Sequence, residues 1–394
     1  MHARGSIPGS TSASRASRGS DMAAKVVTWQ DWSDYFEAWK REIGMVGEHV
    51  GDYRFEARFD DVHPEIEFGD FRGARKWETV LEIPDQRIRD ACEYLIAVQG
   101  DTEFASVEQQ RALYDTAPSD YDFQALARVN REEMRHGYQM AYLLVHHFGE
   151  SGRREAQKLL ERRAFKRSRL LGSFNEDVDN WIDFLVFTQF IDRDGKFQLK
   201  MLSRSAFAPL ARSMPPMLRE ESFHLGTGND GIKRIVRAGK VPIGLLQKYF
   251  NKWLSTAYDL FGVDHSGSAQ WAYVYGLKGR YDEGENPAPA DRSQLNEHAR
   301  ELFVAEARQL IESANRLIPE GQPKLTIPDI RFNRRIGGYA GQPWSVDGRL
   351  LPPEEHARHL VLVLPQRADI ELANAFMKDP AWIASKKALD AVGG

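Results

Sequence analysis

From Asp85 onward the apolar residues recur every three or four positions, as in IRDACEYLIAVQGDTEFASVEQQRALY, the pattern of a helix with one buried face. The same spacing predicts a second long helix from about Asp122 to Phe148, ended by Gly149, and a shorter basic helix in GRREAQKLLERRAFKRSRLL. A third long helix is predicted in WIDFLVFTQFIDRDGKFQLKMLSR. A fourth is predicted in MLREESFHLGTG, starting after the SMPP break with Pro216 in its first turn. Further helices are expected across 239 to 262 and 291 to 316, and one near 28 to 45 precedes a loop-rich stretch. From Ile318 to Leu364 the helical period fades, and Pro, Gly and short β-like runs such as HLVLVLP point to an irregular wrapping segment with a short terminal helix. The expected fold class is all-α: a four-helix bundle over 27–317 with flanking helices, then an irregular segment over 318–394. No repeat of solenoid period is visible.

Composition narrows the function classes. The net charge of −4 and pI near 6.3 argue against a dedicated nucleic-acid binder. No apolar run approaches the roughly 20 residues needed to span a bilayer, so a cytoplasmic protein without a membrane partner is expected. The one cysteine, Cys92, excludes an internal disulfide and a thiolate metal cage, and reads as a buried helical residue. The carboxylate-free start, MHARGSIPGSTSASRASRGS, reads as a disordered tail over 1–26 or as sequence upstream of a start at Met22; a transit peptide is the alternative.

Two Glu-x-x-His motifs stand out, Glu133-Met-Arg-His136 and Glu221-Ser-Phe-His224. Alone they are weak signals, because a chain of this composition carries about 1.6 carboxylate-x-x-His pairs by chance and this one has three, the third being Asp60 to His63. The upstream partners change the odds. Glu103 lies 30 residues before Glu133, and Asp192 lies 29 residues before Glu221, each in a largely apolar helical stretch where a lone carboxylate is costly. The chain therefore reads as one module used twice: a carboxylate helix followed by a carboxylate-x-x-His helix. Positions i and i+3 share a helix face, so each motif aims both of its side chains at one point. Four carboxylates and two imidazoles from four helices form the ligand set of carboxylate-bridged di-iron or di-manganese bundles.

With those residues in hand, the chain resembles the di-iron oxygenase components of the aryl-CoA epoxidases, namely component B of benzoyl-CoA 2,3-epoxidase and, more distantly, the catalytic subunit of phenylacetyl-CoA epoxidase. The stretches that carry the likeness are VQGDTEFASVEQQ, EEMRHGYQMAYLL, FTQFIDRDGKFQL, EESFHLGTG, FGVDHSGSAQWAYVYGLKGRYDE and FNRRIGGYAGQPWSVDG, spread from about residue 28 to the end. The resemblance implies a ferritin-like bundle whose iron ligands fall on Glu103, Glu133, His136, Asp192, Glu221 and His224, with Glu133 and Glu221 bridging two Fe ions. Gln99, one turn before Glu103, is either a cavity-lining residue or a helix hydrogen-bonder. The implied reaction uses O2 to epoxidise the ring of an aryl-CoA thioester, benzoyl-CoA first among them. Its electrons come from NADPH through a separate flavin/iron-sulfur reductase, since this chain carries no flavin, iron–sulfur or nicotinamide motif. Two departures bear on the substrate pocket: Phe223 stands where the family carries a second histidine, and Gly137-Tyr138 replaces a bulkier apolar pair.

Several residues have two readings at this point. Glu132, Glu220, Arg193 and Asp194 flank the ligands and are either orienting partners or solvated charges. The eight basic residues across 153–169 suit CoA phosphates or a reductase, or form a solvated helix face; the cluster at 232–240 reads the same way. Trp181, Phe184, Phe187 and Phe190 are mainly core, with one or two in reach of a substrate ring. The alternative functions are a di-iron oxygenase of another substrate (an N-oxygenase or a natural-product hydroxylase) and a non-catalytic metal-binding ferritin-like protein.

Overall fold

The computed structural model describes residues 25–264, 267–285 and 295–390, so the reading of 1–26 as a disordered tail falls almost wholly outside the described residues. The described residues are mostly helical, with isolated bridges in place of a sheet. In chain order the helices are α1 (Trp29–Glu42), α2 (Gln86–Gln110), α3 (Asp120–His147), α4 (Gly149–Glu161), α5 (Trp181–Leu202) and α6 (Ala208–Ala238). They continue with α7 (Ile243–Leu260), α8 (Gly267–Val274), α9 (Leu295–Asn315), α10 (Pro353–Val363), α11 (Arg367–Phe376) and α12 (Lys386–Asp390).

The starts of the bundle helices are written in their caps. Thr28 and Asp31 close a reciprocal capping box on α1, and Asp85, Ser119 and Asn180 accept from the first turns of α2, α3 and α5. Gly149, in the left-handed region at φ +60°, separates α3 from α4, and Gly239 at φ +64° ends α6.

The bundle consists of two antiparallel pairs. Gly100 on α2 lies against Met140 on α3, and Gly137 against Phe104, which fixes the direction of the first pair. In the second, Gly228 on α6 meets Gln189 on α5, and Gly231 meets Leu185. The most extensive helix contacts are α5 with α6 and α2 with α3, and α3 against α6 joins the pairs. Around them the Trp32, Phe36 and Trp39 rings of α1 pack tilted or edge-on against Phe104 and Tyr138, and α7 packs on α5 through Phe250 and Trp253. Cys92 is fully buried, and burial pushes its thiol well above the usual range.

Three expectations are corrected. The fourth bundle helix does not begin after SMPP: α6 starts at Ala208 and carries Pro215 and Pro216 inside it. A proline within a helix removes one N–H and so leaves the carbonyl four residues earlier unpaired. For Pro216 that carbonyl is Arg212 O, and the backbone N–H of Asp60, in the extended strap after α1, donates to it at 3.0 Å. Second, the HLVLV run is helical rather than β-like. It forms the end of α10, which Pro353 and the first-turn acids Glu354 and Glu355 initiate. Third, the basic helix stops at Glu161 instead of reaching Leu171, because Arg162, Arg163 and Arg169 turn inward to Asp101, Glu42 and Glu108.

Candidate metal centre

Each antiparallel pair brings one carboxylate helix and one Glu-x-x-His helix to the same level of the bundle. Glu103, Glu133, Asp192 and Glu221 are buried, and His136 and His224 have no exposed surface at all. The ligating atoms of Glu103, Glu133 and His136 lie within 4.8 Å of one another, and so do those of Glu133, Glu221 and His224. His136 Nδ1 is 3.4 Å from Glu103 Oε2 and 3.9 Å from Glu221 Oε1. His224 Nδ1 is 3.3 Å from Glu133 Oε1 and 3.5 Å from Glu221 Oε2. The imidazole centroids are 5.9 Å apart. Glu221 thus presents one oxygen to each imidazole, and Glu133 belongs to both clusters.

The outer side of each imidazole is held by the opposite helix. His136 Nε2 donates to Glu220 Oε2 at 2.9 Å, and His224 Nε2 donates to Glu132 Oε2 at 3.1 Å. An ionised carboxylate accepts only, so each Nε2 carries a proton, and Nδ1 is the nitrogen that faces the carboxylates, where a cation can take the place of its proton. The residue preceding each motif glutamate therefore orients the histidine of the other motif, and Glu132, buried, and Glu220, partly buried, are partners rather than solvated charges. Arg135, fully buried, and Arg58 of the strap pair with Glu220. Burial opposes its ionisation, but His136 and Arg135 hold the Glu220 carboxyl down at about 2.

Crowding four acids into this space has a marked electrostatic effect. Burial and then the Glu103 charge push Glu133 well above the usual carboxylate range, and burial with Glu221 does the same to Asp192. Glu103 is pulled below that range by His136 against the effect of burial. Burial disfavours the His224 imidazolium, yet Glu221, Glu132 and Glu133 raise its pKa well above normal. His136 Nδ1, His224 Nδ1, Asp192 Oδ2 and Glu221 Oε2 are buried without a hydrogen-bond partner among the described residues. Such orphaned acceptors are costly unless a proton or a cation lies between them. Two ligands bound to one ion at about 2.1 Å each stand roughly 3.0–3.4 Å apart at 90–110°, close to the spacings found here. The donor set fits a pair of cations.

Gln99 donates to Glu103 Oε1 at 2.6 Å and also lines a cavity of about 170 Å³, so its two readings both hold. That cavity runs along α5, where Gly195 faces Glu221 Oε1 at Cβ distance 3.8 Å. Its walls include Leu95, Val98, Phe174, Ile191, Gln198 and Lys278. The sequence pattern does not single out Phe174, Gln198 and Lys278; the lysine inside the otherwise apolar YVYGLKG is the one available signal. None of the six lines this cavity, nor a larger one of about 500 Å³ lined by Asn180, Met377 and Trp382 among others.

Other candidates fall elsewhere. Asp60 pairs with Arg219 and His63 is exposed, so the third motif stays outside the cluster. Arg193 turns to Glu306 and Asn229, away from a ligand, while Asp194 accepts from Gln198. Trp181, Phe184, Phe187 and Phe190 are core and line none of these cavities. Phe223 stacks under the Arg128 guanidinium, which also pairs with Glu132. Gly137 is covered by the Phe104 ring and Tyr138 packs on α1, so that departure faces away from the cavity. Of the eight basic residues across 153–169, five pair with acids of this chain. At 232–240, Arg234 grips Asp122.

Residues 76–326 match the family model described as phenylacetic acid catabolic protein. The chain belongs to that family. Among curated relatives, it is 36% identical over 373 residues to benzoyl-CoA oxygenase component B of Aromatoleum evansii, covering 81% of this chain and 78% of the relative. It is 24% identical over 216 residues to one of the subunits of 1,2-phenylacetyl-CoA epoxidase from Escherichia coli K12, covering 54% of this chain and 61% of that one. The span matched to the phenylacetic acid catabolic family contains the five side chains of the two clusters and Asp192, which is coupled to them through Glu221 and His224. No helix among the described residues is long and apolar enough to cross a membrane.

Proposed function

We propose that Glu103, Glu133, His136, Asp192, Glu221 and His224 hold two iron ions, and that the protein is the ring-oxygenating component acting on an aromatic acyl-CoA, benzoyl-CoA first. The observation that carries the reading is Glu221 between the Nδ1 atoms of two imidazoles, one carboxylate oxygen toward each, with Glu133 shared by both clusters. Glu133 and Glu221 would be shared between the two ions, with Glu103 and His136 completing one site and Asp192 and His224 the other. When bound, the iron pair supplies the reductive activation of O2 that inserts one oxygen atom into the ring.

The chain's own residues do the rest. Glu132 and Glu220 fix the tautomer and tilt of the imidazoles, so each Nδ1 is free to bind a cation. Metal binding displaces the protons that burial and like charge keep on Glu133 and Asp192. Gln99 holds one oxygen of Glu103 in place. An engineered apolar cavity of about 150 Å³ is known to take up benzene. The 170 Å³ cavity, whose wall at Gly195 adjoins Glu221, is thus the right size to hold one aromatic ring. The name component B marks that relative as one part of a larger oxygenase. By the same reading, electrons reach this chain from NADPH through a separate reductase.

The test is metal analysis of the purified protein together with O2 uptake in the presence of benzoyl-CoA, NADPH and a reductase. Two irons per chain and benzoyl-CoA-dependent uptake are expected. Iron-loaded protein that consumes no O2 with any aryl-CoA would overturn the substrate assignment, and protein that binds no metal would overturn the centre.

A further inference from the structure

The cavity that Gln99 lines is mostly apolar, with Gln99, Thr102, Asp194, Gln198 and Lys278 as its polar members. Gln198 stands three residues beyond Gly195 on α5, about one helical turn further along the wall. Lys278, from the segment after α8, reaches in and donates from Nζ to Gln198 Oε1 at 2.6 Å. Gln198 Nε2 in turn donates to Asp194 Oδ1 at 3.1 Å. Among the described residues, Gln198 Oε1 is the one acceptor within hydrogen-bonding distance of the Lys278 amine. Burial lowers that amine to about 8 against the pull of Asp194 and Asp264, so at neutral pH it remains mostly an ammonium with three N–H donors. One donor is used, and the others border the cavity.

A buried ammonium with unused donors beside an apolar slot is a recognition element for an acceptor carried by whatever fills the slot. The slot holds one ring and little more. In an aroyl thioester the acceptor nearest the ring is the thioester carbonyl oxygen, and the phosphates of CoA are many bonds away. We propose that Lys278 donates a hydrogen bond to the thioester carbonyl of the bound aroyl-CoA, so that the ring is anchored in the slot whose wall at Gly195 adjoins Glu221. The inference rests on the aryl-CoA reading above and deepens it by naming the group recognised. Gln198 is the positioning residue. Its amide oxygen fixes the ammonium, and Asp194 fixes the amide.

The experiment compares three probes by calorimetry without reductase, so that no turnover occurs: benzoyl-CoA, its thioether analogue S-benzyl-CoA, which lacks the carbonyl, and CoA itself. A hydrogen bond from a charged donor predicts that the iron-loaded wild type binds the thioester roughly 10- to 100-fold more tightly than the thioether. Lys278→Met is expected to close that gap to within about twofold while leaving thioether affinity nearly unchanged, a result that a merely structural lysine would not give. Equal wild-type affinity for thioester and thioether, both tighter than CoA, overturns the role of Lys278 and leaves the aryl-CoA reading intact. So does a ratio that survives in Lys278→Met. If neither aromatic probe binds more tightly than CoA, the underlying reading fails and the proposal with it. Should the Met variant not fold, Lys278→Gln is read on the same ratio, which must fall; the wild-type comparison stands in either case.

Discussion

Two of the glycines that follow His224 on α6, Gly226 and Gly228, make a sharp contrast. A Cβ added at Gly228 would lie 2.5 Å from Gln189 N and 2.8 Å from its Cα, both rigid helix backbone. Carbon contacts settle at about 3.5–4.0 Å, so α5 and α6 would have to separate by about 1 Å. Overpacking of this kind costs typically 1–3 kcal/mol, and with backbone on both sides the upper end applies. Alanine regains about 1 kcal/mol of helix propensity, which leaves Gly228→Ala destabilised by about 2 kcal/mol. At Gly226 a Cβ meets nothing within 4 Å, so Gly226→Ala should stabilise by up to about 1 kcal/mol. The displaced helix also carries Glu221 and His224 away from Asp192, so Gly228→Ala should retain less iron than Gly226→Ala. Urea unfolding with iron determination on both variants reads the difference of about 3 kcal/mol. If the two variants unfold at the same urea concentration with equal iron, the close approach of α5 and α6 does not set the centre.

Three further outcomes are expected. Glu132→Gln weakens the orientation of His224 while leaving only the half-exposed Arg128 unpaired, so iron affinity should fall roughly 10- to 100-fold with little loss of stability; a competition assay with a chelator reads it. Because Glu133, Asp192 and His224 all have raised pKa values and hold protons that a cation must displace, iron affinity should rise with pH across the neutral range, with proton uptake by a weak buffer dye reporting the release on loading. Burial raises the Asp194 carboxyl to about 7, so its ionisation works against the folded state: the stability present below pH 4 is lost as pH rises toward 7, by about 4 kcal/mol. Asp194→Asn should remove that loss, which urea titrations at pH 5 and pH 8 would detect as a flatter profile.

That Glu103, Glu133, His136, Glu221 and His224 lie close together was legible in the sequence because helix geometry places i and i+3 on one face, and because the module occurs twice at nearly equal spacing; Asp192 is in neither cluster. Glu132 and Glu220 were visible only as neighbours of ligands. That each serves the histidine of the opposite motif depends on how α3 packs on α6, which no local pattern encodes. The SMPP segment misled because the carbonyl freed by Pro216 is satisfied by Asp60, some 156 residues earlier in the chain. The basic run misled in another way: its guanidiniums are spent on Asp101, Glu42 and Glu108, acids brought near by tertiary folding. Lys278 and Phe174 reach the cavity from outside the four bundle helices, so helical periodicity could not find them.

The most direct check on the paired centre is the iron content of the wild type beside Glu221→Ala, with circular dichroism confirming that both are folded. Glu221 is the carboxylate that faces both imidazoles, so its loss should reduce two irons per chain to one or none. A folded Glu221→Ala protein that still carries two irons would contradict the account.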